Sequence, residues 1–395
     1  MRHERGHEDV RLGIVVTHPI QYQAPLYRHL AACTDVQPHV FFLTEHGVDS
    51  SYDPGFRRSI QYDVPLLEGY SYQFVPNRSP RPSPSTPFGA INPSLPSRVR
   101  AAGIDALLVH GYSSPSHWLA YAAAGRWRIP YILRGESRPD PPTTPGLKVA
   151  IKRAFVGPLV RRASACLAIG TENRNFYLAY GAAPERIFAA PYSVDRDRFA
   201  AAGEEGRRRR GELLGGLGLD PGRPTILFAA KLQPWKRPLD LVAAMDQIAG
   251  RANLLLIGDG PLRPAVDHLC ADRAWMRSLG FVNQREIGRW YGVADLFVLP
   301  SEREPWGLAV NEAMSAGAVP IVSDAVGCGP DLVAPGAGWV FSAGDVGSLA
   351  DAIVQALEPG ALTSRQEVAR RVAAEHGIDR TADGIVAATR AVLDL

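Results

Sequence analysis

Short apolar runs recur along the chain, and each is followed by a stretch whose apolar and polar positions repeat at helical spacing. That alternation reads as βαβ units assembled on parallel sheets. In the first half the strands are expected at 12–16, 39–43, 106–109, 131–133 and 165–169. A second series begins after Phe199, with strands expected at 226–229, 254–257, 296–299, 320–322 and 339–341. Residues 76–97 carry seven prolines and read as a loop or lid. Residues 200–222, between the two series, are rich in Gly and Arg, and 381–395 return to helical periodicity. The expected fold class is α/β, with two Rossmann-like domains facing each other across a cleft. The expected division is a disordered tail at 1–10, an N-terminal domain at 11–200, a C-terminal domain at 201–375 and a closing helix at 376–395.

Bulk properties narrow the class. A chain of 395 residues has room for two ordinary domains. Its 46% hydrophobic and 21% charged content is that of a globular protein. No 18-residue apolar run is present, so no membrane-spanning helix is expected. The charged start, Met1 to Val10, lacks the apolar region of a secretory signal. Cys33, Cys166, Cys270 and Cys328 are far apart and form no C-x-x-C pair, which argues against a disulfide framework or zinc site. A cytoplasmic location is the resulting expectation, peripheral contact with the inner membrane face remaining open.

Charge is unevenly spread. The net value is +3, yet residues 1–200 hold 23 Lys+Arg against 16 Asp+Glu and the remainder 20 against 24. A basic first half suits an anionic acceptor or a membrane surface. Within it, 147–162 sets Lys148, Lys152, Arg153, Arg161 and Arg162 among apolar residues, a pattern of an interfacial helix or of an ordinary surface helix, interrupted by Pro158. The run Arg207 to Arg210 has no aromatic platform near it and reads as a solvated helix face, so nucleic acid is not an expected partner.

The most informative stretch runs from Ser301 to Met314. It follows an apolar strand and leads through a Gly-containing turn into an Ala-rich helix, with Glu304 in the loop and Glu312 about one turn into the helix. Helix N-termini present unpaired amides and a positive dipole end, so Gly307, Leu308 and Ala309 are candidates to hold a phosphate. Two carboxylates flanking an anion hole fit the hydroxyls on either side of a diphosphate, as in a nucleotide-sugar. Upstream, Lys231 and Lys236 share a post-strand loop and are candidates to neutralise that diphosphate. Gly258-Asp259-Gly260-Pro261 follows the next strand; lacking a third glycine, it matches the dinucleotide fingerprint poorly and reads as a tight turn that lets backbone approach the ligand. All of these fall just after strands, where ligands bind in open α/β sheets.

The order of these motifs resembles the retaining glycosyltransferases of family 4, which have the GT-B fold. Gly258-Asp259-Gly260-Pro261, then Leu279-Gly280-Phe281-Val282, then the Glu-x7-Glu run ending in Glu-Ala-Met-Ser-Ala-Gly carry the resemblance, and Val194 to Phe199 is similar to the family's domain-junction stretch. It is dense over about residues 185–345 and loose before that. The resemblance implies that Glu312 binds ribose hydroxyls, Glu304 lies near the donor sugar, and the amides of Gly307, Leu308 and Ala309 hold phosphates or sugar. It further implies that Val282 contacts the base through its backbone and that His110 reaches the donor sugar. Asp195 and Asp197 have D-x-D spacing, but at the junction a structural role is the expectation, with no metal and no cofactor.

Two departures stand out. Lys231 occupies the place of the family's Arg and lacks its bidentate fork. The family's Gly-Gly loop after the first strand is replaced by Thr17-His18-Pro19-Ile20-Gln21-Tyr22-Gln23, which offers His18 and Gln21 to an acceptor or is simply a different loop. Arg134 and Glu136 are further acceptor-side candidates. The expected activity is that of a hexosyltransferase moving a sugar, with retention, from a nucleotide diphosphate donor to a hydroxyl of an unknown glycan, lipid-linked intermediate or natural product. A catalytically silent nucleotide-sugar-binding subunit, or an epimerase or hydrolase acting on the donor alone, are the alternatives.

Overall fold

The computed structural model describes residues 10–141 and 143–394, so most of the tail assigned to 1–10 lies outside the described residues. The strands in chain order are β1 (Val10–Val16), β2 (Val36–Phe42), β3 (Ser51–Asp53), β4 (Arg58–Ile60), β5 (Ser71–Phe74), β6 (Ala106–His110), β7 (Tyr131–Arg134), β8 (Ala165–Ala168) and β9 (Ile187–Ala189), then β10 (Thr225–Ala229), β11 (Asn253–Ile257), β12 (Met276–Gly280), β13 (Leu296–Leu299), β14 (Val319–Ser323) and β15 (Trp339–Phe341). All ten strands expected from the sequence form.

The chain divides into two compact units. The first takes the chain up to Asp49, then Pro65–Pro191, and again from Ile378 onward. Its seven-stranded sheet has the order β5-β2-β1-β6-β7-β8-β9, parallel throughout. The second takes Ser50–Val64 and Tyr192–Gly377. Its six strands run parallel in the order β12-β11-β10-β13-β14-β15, and the antiparallel hairpin β3–β4 belongs to the same unit. The second unit thus begins at Tyr192 rather than residue 201 and includes a piece from the middle of the first half. The closing helix, Ile378–Leu393, packs on the first unit, where Ala382, Ile385 and Ala388 are buried.

Near-continuous apolar strands such as Ile14, Val15 and Val16 or Leu254, Leu255 and Leu256 are buried on both faces, as a parallel sheet covered by helices requires. Three expectations change. The helix Gly146–Arg162 runs uninterrupted through Pro158. The proline-rich segment 76–97 is mostly irregular but tied down: Asn77 bonds Gly89, Ile91 and Ser79, and buried Asn92 donates to Leu43 O and Val75 O at 3.0 and 2.8 Å. The four-Arg run is not simply solvated. Arg210 pairs with Asp295 at 2.9 Å and Arg207 donates to Ala316 O, pinning the helix Arg196–Arg208 and its successor to the sheet layer.

Candidate functional site

In the second unit the loops at the carboxyl ends of the strands are tied to one another. After β10 a single turn, Pro234–Lys236, ends at Arg237, whose left-handed φ of 52° is held by its bonds to Asp240 and Glu302. Glu302 N donates to Trp235 O at 2.9 Å, and the Arg303 guanidinium lies over the Trp235 ring. These contacts join the post-β10 loop to the post-β13 loop and bring the Lys236 ammonium onto the Glu304 carboxylate. The Glu304 loop is fixed on its other side by Gly327 N, which donates to Glu304 O at 3.0 Å, and by Cys328 N to Trp306 O. A Cβ on Gly327 would sit 1.9 Å from Pro305 O, so that approach needs glycine.

Gly307, at φ 106°, turns the chain into the helix Leu308–Ser315. First-turn amides of a helix have no intrahelical partner and face outward along its axis; here those are the amides at the sequence-expected positions Leu308 and Ala309. One turn further, Glu312 is partly buried and accepts the Tyr291 hydroxyl at 2.7 Å. Burial pushes its carboxyl up to about 7, against the opposing effects of the Tyr291 hydrogen bond and the Arg198 charge. Glu304, Lys236, Glu312 and the helix start therefore share one end of β10, β13 and the following helix.

Lys231 behaves differently from its loop neighbour. Its ammonium is bonded to Asp53 of the β3–β4 hairpin, at 3.0 and 2.9 Å to the two carboxylate oxygens. The two lysines thus have separate carboxylate partners. Val282 follows β12, next to Phe281, whose ring meets Phe56 edge-on and lies under Arg58. The glycines of the 258–261 turn allow close packing on the neighbouring loop: a Cβ on Gly258 would meet Ala230 O at 1.9 Å, and one on Gly260 Leu232 O at 2.8 Å. Asp195 caps the helix Arg196–Arg208 by accepting Arg198 N, a structural role. Among the described residues no group of three or more His, Cys, Asp or Glu is arranged to hold a metal ion.

In the first unit β1, β6 and β7 are neighbours, so their carboxyl ends bring together His18 and Gln21 after β1, His110 at the end of β6, and Arg134 and Glu136 at and beyond the end of β7. His110 pairs in register with Arg134. Burial, then Arg134 and His117, hold the His110 ring well below its ordinary value, so it is neutral at neutral pH. Its tautomer follows from its partners. Tyr27 donates its hydroxyl to Gln23 Oε1 at 2.7 Å, which turns the Gln23 Nε2 amide toward His110 Nδ1, 3.2 Å away. An amide NH2 only donates, so Nδ1 accepts and the ring proton resides on Nε2. Nε2 is buried and has no protein partner, a donor left over for a ligand. Sequence reading chose Gln21 in this loop and missed Gln23, which lies only two residues on, at the helix start.

Comparison with known proteins fits this picture. Residues 18–193 match the glycosyl transferase 4-like domain, mostly in the first unit but including the Ser50–Val64 piece of the second, and residues 223–359, all in the second unit, match glycosyl transferases group 1. The D-inositol 3-phosphate glycosyltransferase of Xylanimonas cellulosilytica is 30% identical over 233 residues, 56% of this chain and 56% of that protein. The match therefore spans about half the length of that relative. The protein of the same name from Geodermatophilus obscurus is 28% identical over 384 residues, 86% of this chain and 80% of its own. Among solved structures, Anabaena HepE in complex with UDP and glucose has a TM-score of 0.70 at 18% identity, covering 96% of this chain and 98% of its own. The α,α-trehalose 6-phosphate synthase of Burkholderia multivorans reaches 0.73 at 15% identity, covering 98% and 99%. With two parallel-sheet α/β units, the chain has the GT-B fold, and it carries matches to the glycosyl transferase 4-like domain and to glycosyl transferases group 1.

Proposed function

We propose that the protein transfers a hexose-type sugar, with retention, from a nucleoside diphosphate sugar to a hydroxyl acceptor. The observation that carries this reading is the Lys236–Glu304 pair set beside the start of the helix Leu308–Ser315, with Glu312 one turn on. A departing diphosphate gathers negative charge as the sugar cation develops, and helix amides with one or two ammonium groups are preorganised to meet it. Removing one such donor typically costs on the order of 10²–10³ in rate. In this reading Glu312 accepts the ribose hydroxyls, Glu304 binds the sugar, Val282 meets the base through its backbone, and His110 offers its Nε2 proton to a sugar oxygen. With no carboxylate nucleophile assigned, attack and departure share one face and the leaving phosphate takes the acceptor's proton. His18, Gln21, Arg134 and Glu136 are the acceptor-side candidates. No metal is required, Lys231 and Lys236 supplying the positive charge.

The test is a donor screen in EDTA with UDP-, GDP-, ADP- and dTDP-sugars, reading thermal shift and slow nucleotide release. One donor is expected to stabilise the wild type and to be slowly hydrolysed, and Glu304→Ala and Lys236→Ala should each abolish turnover while leaving the melting curve of the free protein cooperative. Unchanged turnover in either variant defeats the site assignment, and absence of any shift favours a silent subunit. The acceptor arm starts with D-inositol 3-phosphate, the compound in the names of the curated relatives, followed by glycans and lipid-linked sugars.

The helix Gly146–Arg162 supports an added element, contact with an anionic membrane surface. Leu147, Ile151 and Phe155, four residues apart and so on one face, are 75%, 51% and 66% exposed, with Lys148, Lys152 and Arg153 beside them. Co-sedimentation with anionic vesicles should fall at least about tenfold in Leu147→Asp/Phe155→Asp, since each buried apolar side chain contributes about 1.5–3 kcal/mol. Equal binding by the variant rejects the contact.

A further inference from the structure

The β3–β4 hairpin falls among the first unit's strands in sequence but is carried by the second unit, where it spans the carboxyl ends of three consecutive strands. At the post-β10 loop, Asp53 holds Lys231, the Lys231 ammonium lies 4.7 Å from the centre of the Phe56 ring, and Gln233 Nε2 donates to Gly55 O at 2.6 Å. At the post-β11 turn, Arg58 approaches Asp259 at 3.6 Å. At the post-β12 loop, Phe56 meets Phe281 edge-on, Asn283 Nδ2 donates to Gln61 O and Asp63 accepts Arg285 N. The Lys231 chain lies against Gly55 so closely that a Cβ there would be 2.7 Å from its Cδ. The hairpin therefore places both carboxylate oxygens of Asp53 on the Lys231 ammonium.

We infer that Asp53 sets the affinity of the donor site for phosphate: it occupies Lys231 in place of the donor's phosphates, so that a diphosphate must displace it to reach the lysine. This rests on the reading of the second unit as a nucleotide-sugar site. A ligand that must first replace an internal partner binds more weakly by the cost of breaking that contact. A diphosphate brings more negative charge to Lys231 than the single carboxylate it replaces. A nucleoside brings none, leaves the Asp53–Lys231 pair closed and gains nothing from the lysine. Asp53 thereby lowers the affinity for a diphosphate and leaves that for a nucleoside untouched. The carboxylate is well suited to the task because it is also held by its own turn, Oδ1 accepting the amides of Gly55 and Phe56 at 2.7 and 3.1 Å.

Asp53→Asn tests this with little disturbance of the turn, since the amide oxygen still accepts from Gly55 and Phe56 while the charge is lost. Calorimetric titration of the full chain with UDP, GDP and ADP, and with uridine, guanosine and adenosine, is compared for wild type, Asp53→Asn, Lys231→Ala and the double variant. The expected result is that Asp53→Asn tightens binding of the preferred nucleoside diphosphate roughly 5- to 30-fold. Its nucleoside should bind unchanged, and the gain should vanish in the Lys231→Ala background. Diphosphate binding by the wild type that is unchanged or weakened in Asp53→Asn, or a gain shared by the nucleoside or kept without Lys231, overturns this inference while leaving the nucleotide-sugar reading intact. Binding of no nucleotide by either wild type or Asp53→Asn overturns both.

Discussion

Glu312 is a carboxyl that the fold makes reluctant to ionise: its pKa is raised to about 7, first by burial, with Tyr291 and Arg198 only partly offsetting that. As the acceptor for ribose hydroxyls it must be ionised, so donor affinity is expected to rise with pH through about 7 and level off above it. Glu312→Gln should remove the pH step and weaken nucleoside diphosphate binding about 10- to 100-fold, since hydrogen bonds to charged groups contribute about 1.5–3 kcal/mol. Stability should move the other way. The folded protein holds this proton more tightly than an unfolded Glu, whose ordinary value is 4.5, so the group's stabilising effect is present below 4.5 and is lost as pH rises through about 7. Melting temperatures at pH 5 and pH 8, with titrations at both, check the two signs: the variant should gain on the wild type at pH 8. Glu304 and Lys236 were legible in the sequence because each follows an apolar strand within one loop, and Glu312 because the helix after the Glu304 loop is read with it. Gln23 and Asp53 were not. Their partners, His110 and Lys231, lie 87 and 178 residues away, and no local pattern encodes such a pairing.

At the scale of elements, the strands that sequence reading missed within the two large sheets have one physical cause. β5, β9 and β12 are edge strands; β5 and β9 hold no buried residue and β12 only its two ends, unlike edge strand β15 with Trp339 and Phe341 buried, so Ser71–Phe74 or Met276–Gly280 lack the apolar run that marks an interior strand. The glycines between helices were equally silent in the sequence, yet they set a close crossing. The helix Arg196–Arg208 meets the helix Gln284–Val293 so tightly that a Cβ on Gly206 would lie 2.0 Å from Arg289 O, and one on Gly292 2.0 Å from Gly203 O. Because the obstacle is backbone, it cannot rotate away, and the helices must separate. Since the second of these helices carries Tyr291, the partner of Glu312, separation should reach the site as well. Gly206→Ala and Gly292→Ala are expected to destabilise by at least about 1–3 kcal/mol, the usual range for overpacking. Gly215→Ala, in the helix Arg210–Gly216 with nothing within 4 Å of its Cβ, should instead stabilise by roughly 0.5–1 kcal/mol. Denaturant melts of the three variants decide this, and a loss from Gly215→Ala as large as from the other two would refute it.

For the whole molecule, the chain's order and its packing diverge: the last helix follows the second unit in sequence but belongs to the first. Ala382, Ile385 and Ala388 are buried in a cluster with Ala106, Ala165, Leu167 and Ala190, and the helix Ile378–Leu393 packs on β6, β8, β9 and the helix Ala24–Cys33. A Cβ on Gly384 would be 1.9 Å from Ala189 O, which places the helix almost on the β9 backbone. Thr381 Oγ1 donates to Pro191 O at 2.7 Å, and Arg390 pairs with Asp35 at the same distance. Ending the chain at Gly377 should therefore damage the unit at the far end of the sequence. Burial of Ile385 alone is worth about 2 kcal/mol, and the apolar face of β6 and β8 would meet water besides. Hydrogen exchange on the truncated chain is expected to show faster exchange in β6, β8 and β9, with β10, β11, β13 and β14 keeping their protection. Loss spread equally over both sheets would mean that the two units unfold as one. Loss confined to the second would contradict the packing outright. The expected asymmetry follows from the two separate cores: each sheet buries its own apolar strands, so removing cover from one exposes only that core.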